Sequence, residues 1–280
     1  MMRIIIVTGL SGSGKSVALR ALEDSGFYCI DNLPATLLPQ ISHHLDATEQ
    51  NKVAISIDGR SAALEALPNA IEMLRSDGNQ VDLIFLDSNT DTLVKRFSET
   101  RRKHPLSSET TTLAESIQQE RELLGNMVEL GHHIDTSNLG PNALRRHIRA
   151  LVEAPHHGLT LLFTSFGFKH GIPLDADFVF DIRSLPNPHY DPVLRPLTGK
   201  DTAVQKFLQN TPEANEMLDD IKHLIEKWLP GFVRDHRSYL TVAIGCTGGQ
   251  HRSVYFVESL STYFKAQQHQ VLIRHRELND

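Results

Sequence analysis

Cysteine is scarce in this 280-residue chain, which holds only Cys29 and Cys246. They lie far apart and in no metal-type spacing, so neither a disulfide framework nor a zinc site is expected. Long apolar runs are also missing. No stretch approaches the roughly 18 residues that cross a membrane, and the apolar stretch Ile4 to Val7 is too short for a secretory signal. The expected location is the cytoplasm, with no membrane partner. An excess of positive charge is absent as well: 28 Lys+Arg against 34 Asp+Glu give a net charge of −6. That balance argues against a chain coated in nucleic acid. It divides unevenly, −5 over residues 1–153 and −1 over 154–280, so any local basic patch belongs to the second part.

What remains is ordinary globular composition, 40% hydrophobic and 22% charged, which excludes collagenous, low-complexity and wholly disordered chains. The length predicts two domains. Residues 3 to 8 form a β-branched run, and Ser16 to Asp24 read as a helix behind a glycine-rich turn. Val53 to Ile57, Leu83 to Leu86 and His133 to Ile134 read as short buried strands, with helical patterns at Ala114 to Met127 and Asn142 to Val152. Strands alternating with helices imply a parallel sheet. Pro155 and Gly158 break the last of these helices, which puts a linker at Glu153 to Gly158 and a domain boundary near 154. The second part predicts strands at Leu159 to Phe168, Ala176 to Ile182, Tyr239 to Ile244 and Gln270 to His275. Its helices are expected at Thr211 to Trp228 and His251 to Ala266, with Met217, Ile221, Leu224 and Trp228 forming one buried face. No internal repeat or coiled-coil heptad is present.

Gly9-Leu10-Ser11-Gly12-Ser13-Gly14-Lys15-Ser16 matches G-x-x-x-x-G-K-[ST], between a strand and a helix as a phosphate loop must be. The glycines let successive N–H groups curl around a phosphate, and the helix start adds partial positive charge. Lys15 is placed to bridge β- and γ-phosphates and Ser16 to ligate Mg²⁺. The bland alternative is a Gly/Ser-rich turn. Metal orientation also needs a carboxylate at the end of a neighbouring strand; Asp87 fits that place, with Asp31 and Asp58 competing and a helix cap near Asn89 as its alternative. Lys15 and Asp87 are thus the candidates for catalysis. Arg101-Arg102-Lys103-His104 reads either as a cationic lid over phosphates or as a solvated basic turn. The pairs His43-His44, His132-His133 and His156-His157 do not suggest a metal, because adjacent side chains point apart and lack spaced partners.

A second loop, Gly245-Cys246-Thr247-Gly248-Gly249-Gln250-His251-Arg252-Ser253, leads from a strand into a helix. Small residues expose N–H groups, Arg252 offers a planar fork, and His251 and Thr247 add hydrogen bonds for a phosphate. Cys246 and Arg252 also have the C-x5-R spacing of cysteine-dependent phosphatases. Against that chemistry, Gly245 stands where a histidine is usual, and Trp228-Leu229-Pro230-Gly231 supplies no acid. His189 and Arg183 lie on a turn-rich segment that could face this cradle.

These strings, with Phe27-Tyr28-Cys29-Ile30-Asp31-Asn32-Leu33-Pro34, Thr100 to Leu106, Ser165 to Gly171 and Leu185 to His189, resemble the bacterial RapZ family of nucleotide-binding RNase adapter proteins. The resemblance covers nearly the whole chain. It implies a P-loop kinase-like α/β domain with ATPase and GTPase activity, followed by a smaller α/β domain that binds small RNA, senses glucosamine-6-phosphate and presents the RNA to RNase E. It further implies ATP, GTP and Mg²⁺ as cofactors and a homo-oligomer. The nucleotide segment falls on Gly9 to Ser16, and a second, guanine-nucleotide segment falls on Asp58, Gly59, Arg60 and Ser61, where the family pattern has Asn at the last position. The sugar-phosphate pocket falls on His189, Ser238, Thr247, Gly248, His251 and Arg252. RNA-binding relatives end in a Lys/Arg-rich tail, whereas this chain stops at Arg274-His275-Arg276-Glu277-Leu278-Asn279-Asp280. That leaves Lys265, Arg274 and Arg276 as the RNA contacts, pooled across subunits in an oligomer. The rival readings are a small-molecule kinase acting through Lys15 and the Arg101 to His104 lid, and a phosphatase acting through Cys246.

Overall fold

A computed structural model describes residues 2–41, 50–59, 64–153, 158–235 and 237–278. The chain divides into two compact units, Met1–Ala154 and Pro155–Asp280, each α/β with its own parallel sheet. The linker expected at Glu153 to Gly158 lies largely outside the described residues, as do the pairs His43-His44 and His156-His157.

In the first unit, β1 (Arg3–Gly9), β2 (Tyr28–Ile30), β3 (Lys52–Ser56), β4 (Gln80–Asp87) and β5 (His132–Asp135) are all parallel in the order β2-β3-β1-β4-β5. A parallel sheet covered on both faces needs strands that are apolar throughout. Accordingly Ile4, Ile5, Ile6 and Val7 are all buried at 2% exposure or less. The helices are α1 (Lys15–Asp24), α2 (Leu67–Ser76), α3 (Thr90–Thr100), α4 (Leu113–Leu124) and α5 (Pro141–Glu153). The sequence reading names no helix at α2, and reaches α3 only through the helix cap near Asn89, which is where α3 starts. Thr112 and Glu115 make a reciprocal capping box that starts α4. The helix expected to reach Met127 stops at Leu124, and Gly125–Leu130 tightens into a 3-10 turn.

The second unit holds β6 (Thr160–Gly167), β7 (Phe178–Asp181), β8 (Tyr239–Cys246) and β9 (Gln270–His275), parallel in the order β7-β8-β6-β9. Its helices are α6 (Thr202–Gln209), α7 (Pro212–Arg234) and α8 (Arg252–Ala266). The core gathers Phe163, Val242, Ile244, Phe256 and Phe264. Two expectations change here. The helix predicted to end at Trp228 runs through Pro230 to Arg234, because Phe232 beyond the proline packs edge-on against Phe178 at 5.7 Å. Its buried stripe is Ala214, Leu218, Ile221, Ile225 and Leu229, which leaves Trp228 55% exposed.

Candidate functional site

The first loop leaves the end of β1, where Gly9 pairs in register with Leu86 of β4. Only glycine fits: φ is +132°, and a Cβ there would fall 2.0 Å from the Leu86 carbonyl oxygen. Gly14 caps α1 at φ +111°, where a Cβ would meet Leu144 Cδ2 at 2.7 Å. Among the described residues, the N–H groups of Gly12, Gly14, Lys15 and Ser16 meet no protein acceptor, and the Ser16 side chain is exposed at the helix start. Lys15 Nζ folds back to donate to the Gly9 and Leu10 carbonyls at 2.7 and 3.2 Å and lies 3.5 Å from Asp58 Oδ1. The outer wall is clamped. Arg96 on α3 donates to Gly12 O at 3.1 Å and to Thr136 O at 2.6 Å, and Thr136 Oγ1 donates to Ser13 O at 2.8 Å.

Asp58 is therefore the carboxylate that the structure brings to the loop lysine. Asp87, placed by sequence in that role, is engaged elsewhere: Arg121 Nη1 donates to both its oxygens at 2.7 Å, and His133 Nε2 lies 3.4 Å away. Burial works to raise the Asp87 pKa, but the His133 and Ser88 hydrogen bonds and the Arg121 charge outweigh it and hold the carboxyl below its usual range. Asp31 is exposed beyond β2. Asp58 and Gly59 stand beside the first loop, while Arg60 and Ser61 lie outside the described residues. Arg101, Arg102 and Lys103 are exposed, whereas His104 is buried. No group of three or more His, Cys, Asp or Glu capable of holding a metal ion occurs among the described residues.

The second loop follows β8. Cys246 Sγ accepts the Gly249 N–H and contacts Ser253 Oγ, both at 3.2 Å, and the residue is 3% exposed. Arg252 opens α8 and is also 3% exposed. Its Nη1 donates to the Arg183 and Leu185 carbonyls at 3.0 and 2.7 Å, its Nη2 approaches Thr247 Oγ1 at 3.4 Å, and its Nε is buried without a partner. His251 Nε2 bonds Leu194 O at 3.2 Å, and burial pushes its pKa below the ordinary histidine value. The exposed His189 faces it with ring centroids 6.0 Å apart. Gly248 has open space where a Cβ would project.

The structure thus gathers His189, Thr247, Gly248, His251 and Arg252. Ser238 lies apart from them. It precedes β8, and its carbonyl accepts the Thr160 N–H at the start of β6. At about 3.3 Å per residue it stands about 30 Å from Thr247 along the strand, so one chain cannot bring both to one ligand.

Of the basic residues near the end of the chain, two are engaged within the second unit. Arg274 is paired with Asp175 at 3.3 Å, its side chain 9% exposed. Arg276 donates to Gly171 O at 3.2 Å, and Lys265 is exposed at the end of α8. Glu277 Oε2 accepts the Gly167 N–H at 3.1 Å beside Gly249, and burial raises its pKa.

Family models match both units: the RapZ-like N-terminal domain over residues 2–155 and the RapZ C-terminal domain over 159–279. The chain belongs to the RapZ family. A relative called a nucleotide-binding protein, from Methylobacillus flagellatus, is 61% identical over 277 residues, covering 99% of both chains. Another, from Chromobacterium violaceum, is 57% identical over 278 residues, covering 99% of each. Among solved structures, the chain is similar to shikimate kinase from Bacteroides thetaiotaomicron, with 17% identity and a TM-score of 0.40 over 55% of this chain and 99% of that one. No helix among the described residues is long and apolar enough to cross a membrane.

Sequence reasoning missed Glu120, Arg121, Arg96 and Thr136. Glu120 carried a readable signal: it falls on the apolar stripe Leu113, Ile117, Leu124 of α4, where a carboxylate must have buried donors.

Proposed function

We propose that this protein binds ATP or GTP with Mg²⁺ at the first loop, hydrolyses it slowly, and uses the second loop to sense glucosamine-6-phosphate. The observation that carries the first half is the set of N–H groups of Gly12, Gly14, Lys15 and Ser16 that meet no acceptor among the described residues, next to the Lys15 side chain. They offer a ready cradle for a nucleotide's phosphates. The donor set suits Mg²⁺: an exposed Ser16 hydroxyl, with the Asp58 carboxylate nearby to orient water around it. The ion supplies charge neutralisation at the transferred phosphoryl group. Lys15 holds the phosphates once it leaves the Gly9 and Leu10 carbonyls, and the closed wall of Arg96 and Thr136 keeps the loop in shape.

The second half rests on the buried, unpartnered Arg252 Nε beside Thr247 and the open face of Gly248. A sugar phosphate satisfies that guanidinium, and His189 and His251 line the sugar side. By family likeness, the ligand state of this unit decides engagement of small RNA and RNase E, in a cytoplasmic homo-oligomer. A second copy would supply the Ser238 that one chain cannot. Lys265 is the exposed basic residue offered to RNA; Arg274 serves Asp175 first and Arg276 the Gly171 carbonyl.

Calorimetric titration of the full chain tests both halves. ATP or GTP with Mg²⁺ is expected to bind wild type and to lose about 100-fold in affinity in Lys15→Ala, with unfolding unchanged. Glucosamine-6-phosphate is expected to bind more tightly than glucose-6-phosphate, glucosamine or inorganic phosphate, and not at all to Arg252→Ala. Wild-type affinity in either variant sinks the corresponding half. Labelled γ-phosphate appearing in a metabolite faster than in water would instead favour a kinase.

A further inference from the structure

Glu120 is 1% exposed, yet it carries a carboxylate. Its Oε2 accepts the Ser11 N–H at 2.8 Å, and its Oε1 accepts the Ser11 hydroxyl at 2.7 Å. His104, 3% exposed, brings Nε2 to 3.1 Å of the same Oε2, while its Nδ1 accepts the Leu106 N–H at 3.1 Å. The Leu106 bond leaves the ring proton on Nε2, so His104 is the donor. One buried carboxylate therefore takes two donors from the third residue of the phosphate loop and one from His104, the residue that follows the run Arg101-Arg102-Lys103. Gly59 abuts it as well: a Cβ there would fall 3.1 Å from Oε1, next to the Asp58 that pairs with Lys15.

Three otherwise separate parts of the unit meet at this side chain: the phosphate loop, the end of the Asp58 strand connection and the base of the cationic turn. The turn itself leaves α3 at Arg101 with φ +52°, and its three cations are exposed. The contacts that seat it are those of His104, whose ring lies between Phe97, at 5.2 Å, and Glu120. A buried carboxylate that loses a donor is penalised far more than a surface one. Displacing Ser11 therefore disturbs Glu120, and Glu120 disturbs His104.

Resting on the reading of the first loop as a nucleotide site, we infer that Glu120 is a positioning residue that links occupation of that loop, through His104, to the placement of the Arg101–Lys103 turn. Phosphate charge in the loop draws the three cations inward, and the Glu120–His104 bond sets where they pivot. In the absence of phosphate the turn stays in solvent.

Trypsin reads the turn directly, because it cuts after Arg101, Arg102 and Lys103. The full chain is digested with and without a non-hydrolysable ATP analogue and Mg²⁺, and the fragments are assigned by mass spectrometry. In wild type the nucleotide is expected to slow these cuts at least fivefold. Glu120→Gln keeps the shape but puts an amide against the Ser11 and His104 donors; protection is expected to fall below twofold, with kcat for hydrolysis down about tenfold and KM for ATP within threefold. His104→Gln, whose amide can donate to Glu120, is expected to keep the protection that His104→Ala loses. The histidine pair decides the matter should Glu120→Gln fail to fold. Full protection in Glu120→Gln or His104→Ala, or no protection in a wild type that binds the analogue, overturns the link alone. A wild type that binds no nucleotide by calorimetry overturns the link together with the reading beneath it.

Discussion

Both glycine-rich loops join a parallel strand to a helix, but their cationic groups are in opposite conditions. Among the described residues, Lys15 reaches the carbonyls of its own loop and Asp58, and the N–H groups of Gly12, Gly14, Lys15 and Ser16 meet no acceptor. Arg252 is buried, with one nitrogen spent on two carbonyls of a neighbouring segment, and the Gly249 N–H is spent on Cys246 Sγ. In the first loop the backbone makes the site and the side chain waits for a ligand. In the second, the side chain that would hold the ligand also holds the fold. A loss of function therefore means different things at the two places.

The strongest way to break this contrast is to add one methyl group to the backbone of the first loop. Gly9→Ala puts a Cβ inside the Leu86 carbonyl at a φ that disfavours it, and is expected to cost about 4 kcal/mol or more. Far-UV circular dichroism during urea unfolding will show whether the first unit has lost its transition. Next comes Arg252→Ala, which strands the Arg183 and Leu185 carbonyls and is expected to cost the second unit about 2–3 kcal/mol. The single tryptophan, Trp228, lies in that unit, so its fluorescence separates the two transitions. Lys15→Ala should leave both transitions where they are; an equal loss of stability there would erase the contrast.

A smaller effect is expected with pH. Burial favours neutral His251 in the folded chain, so the unfolded chain takes up the extra proton first. The second unit is at full stability above the ordinary histidine pKa and weakens as the pH falls through it. His251→Gln should flatten the dependence of Trp228-detected Tm on pH between about 7 and 5. Smallest of all is Gly248→Ala. Its Cβ meets open space, so stability should hold within about 0.5 kcal/mol while a bulky ligand loses room.

Much of this arrangement was legible in the chain. The motif at 9–16, the apolar strand before it and the helix after it announce the first loop, because backbone chemistry writes itself into glycine positions. Asp87 misled for the same reason that it was noticed: a strand-ending carboxylate suits a metal or an arginine equally, and Arg121 comes from a helix 34 residues on. Trp228 misled because α7 carries two apolar stripes one residue apart, and only packing selects between them. Ser238 follows the family pattern, which says nothing of its place at the start of β8, at the opposite end of the strand from Thr247. Arg274 looked like free charge until Asp175, distant in sequence, was found beside it.

The strand order of the second unit bears on how the chain acquires its structure. β6 is flanked by β8 and β9, so its partners are synthesised long after it. Until residues 239–246 and 270–275 have emerged, an eight-residue strand buried at every position in the finished unit has nothing to pair with. Such delayed long-range pairing slows folding and leaves sticky surface exposed during synthesis. The first unit, whose sheet is complete by residue 135, faces no such wait on the second. Shortening the chain before 270 would remove the last partner of β6, and with it a shield against aggregation.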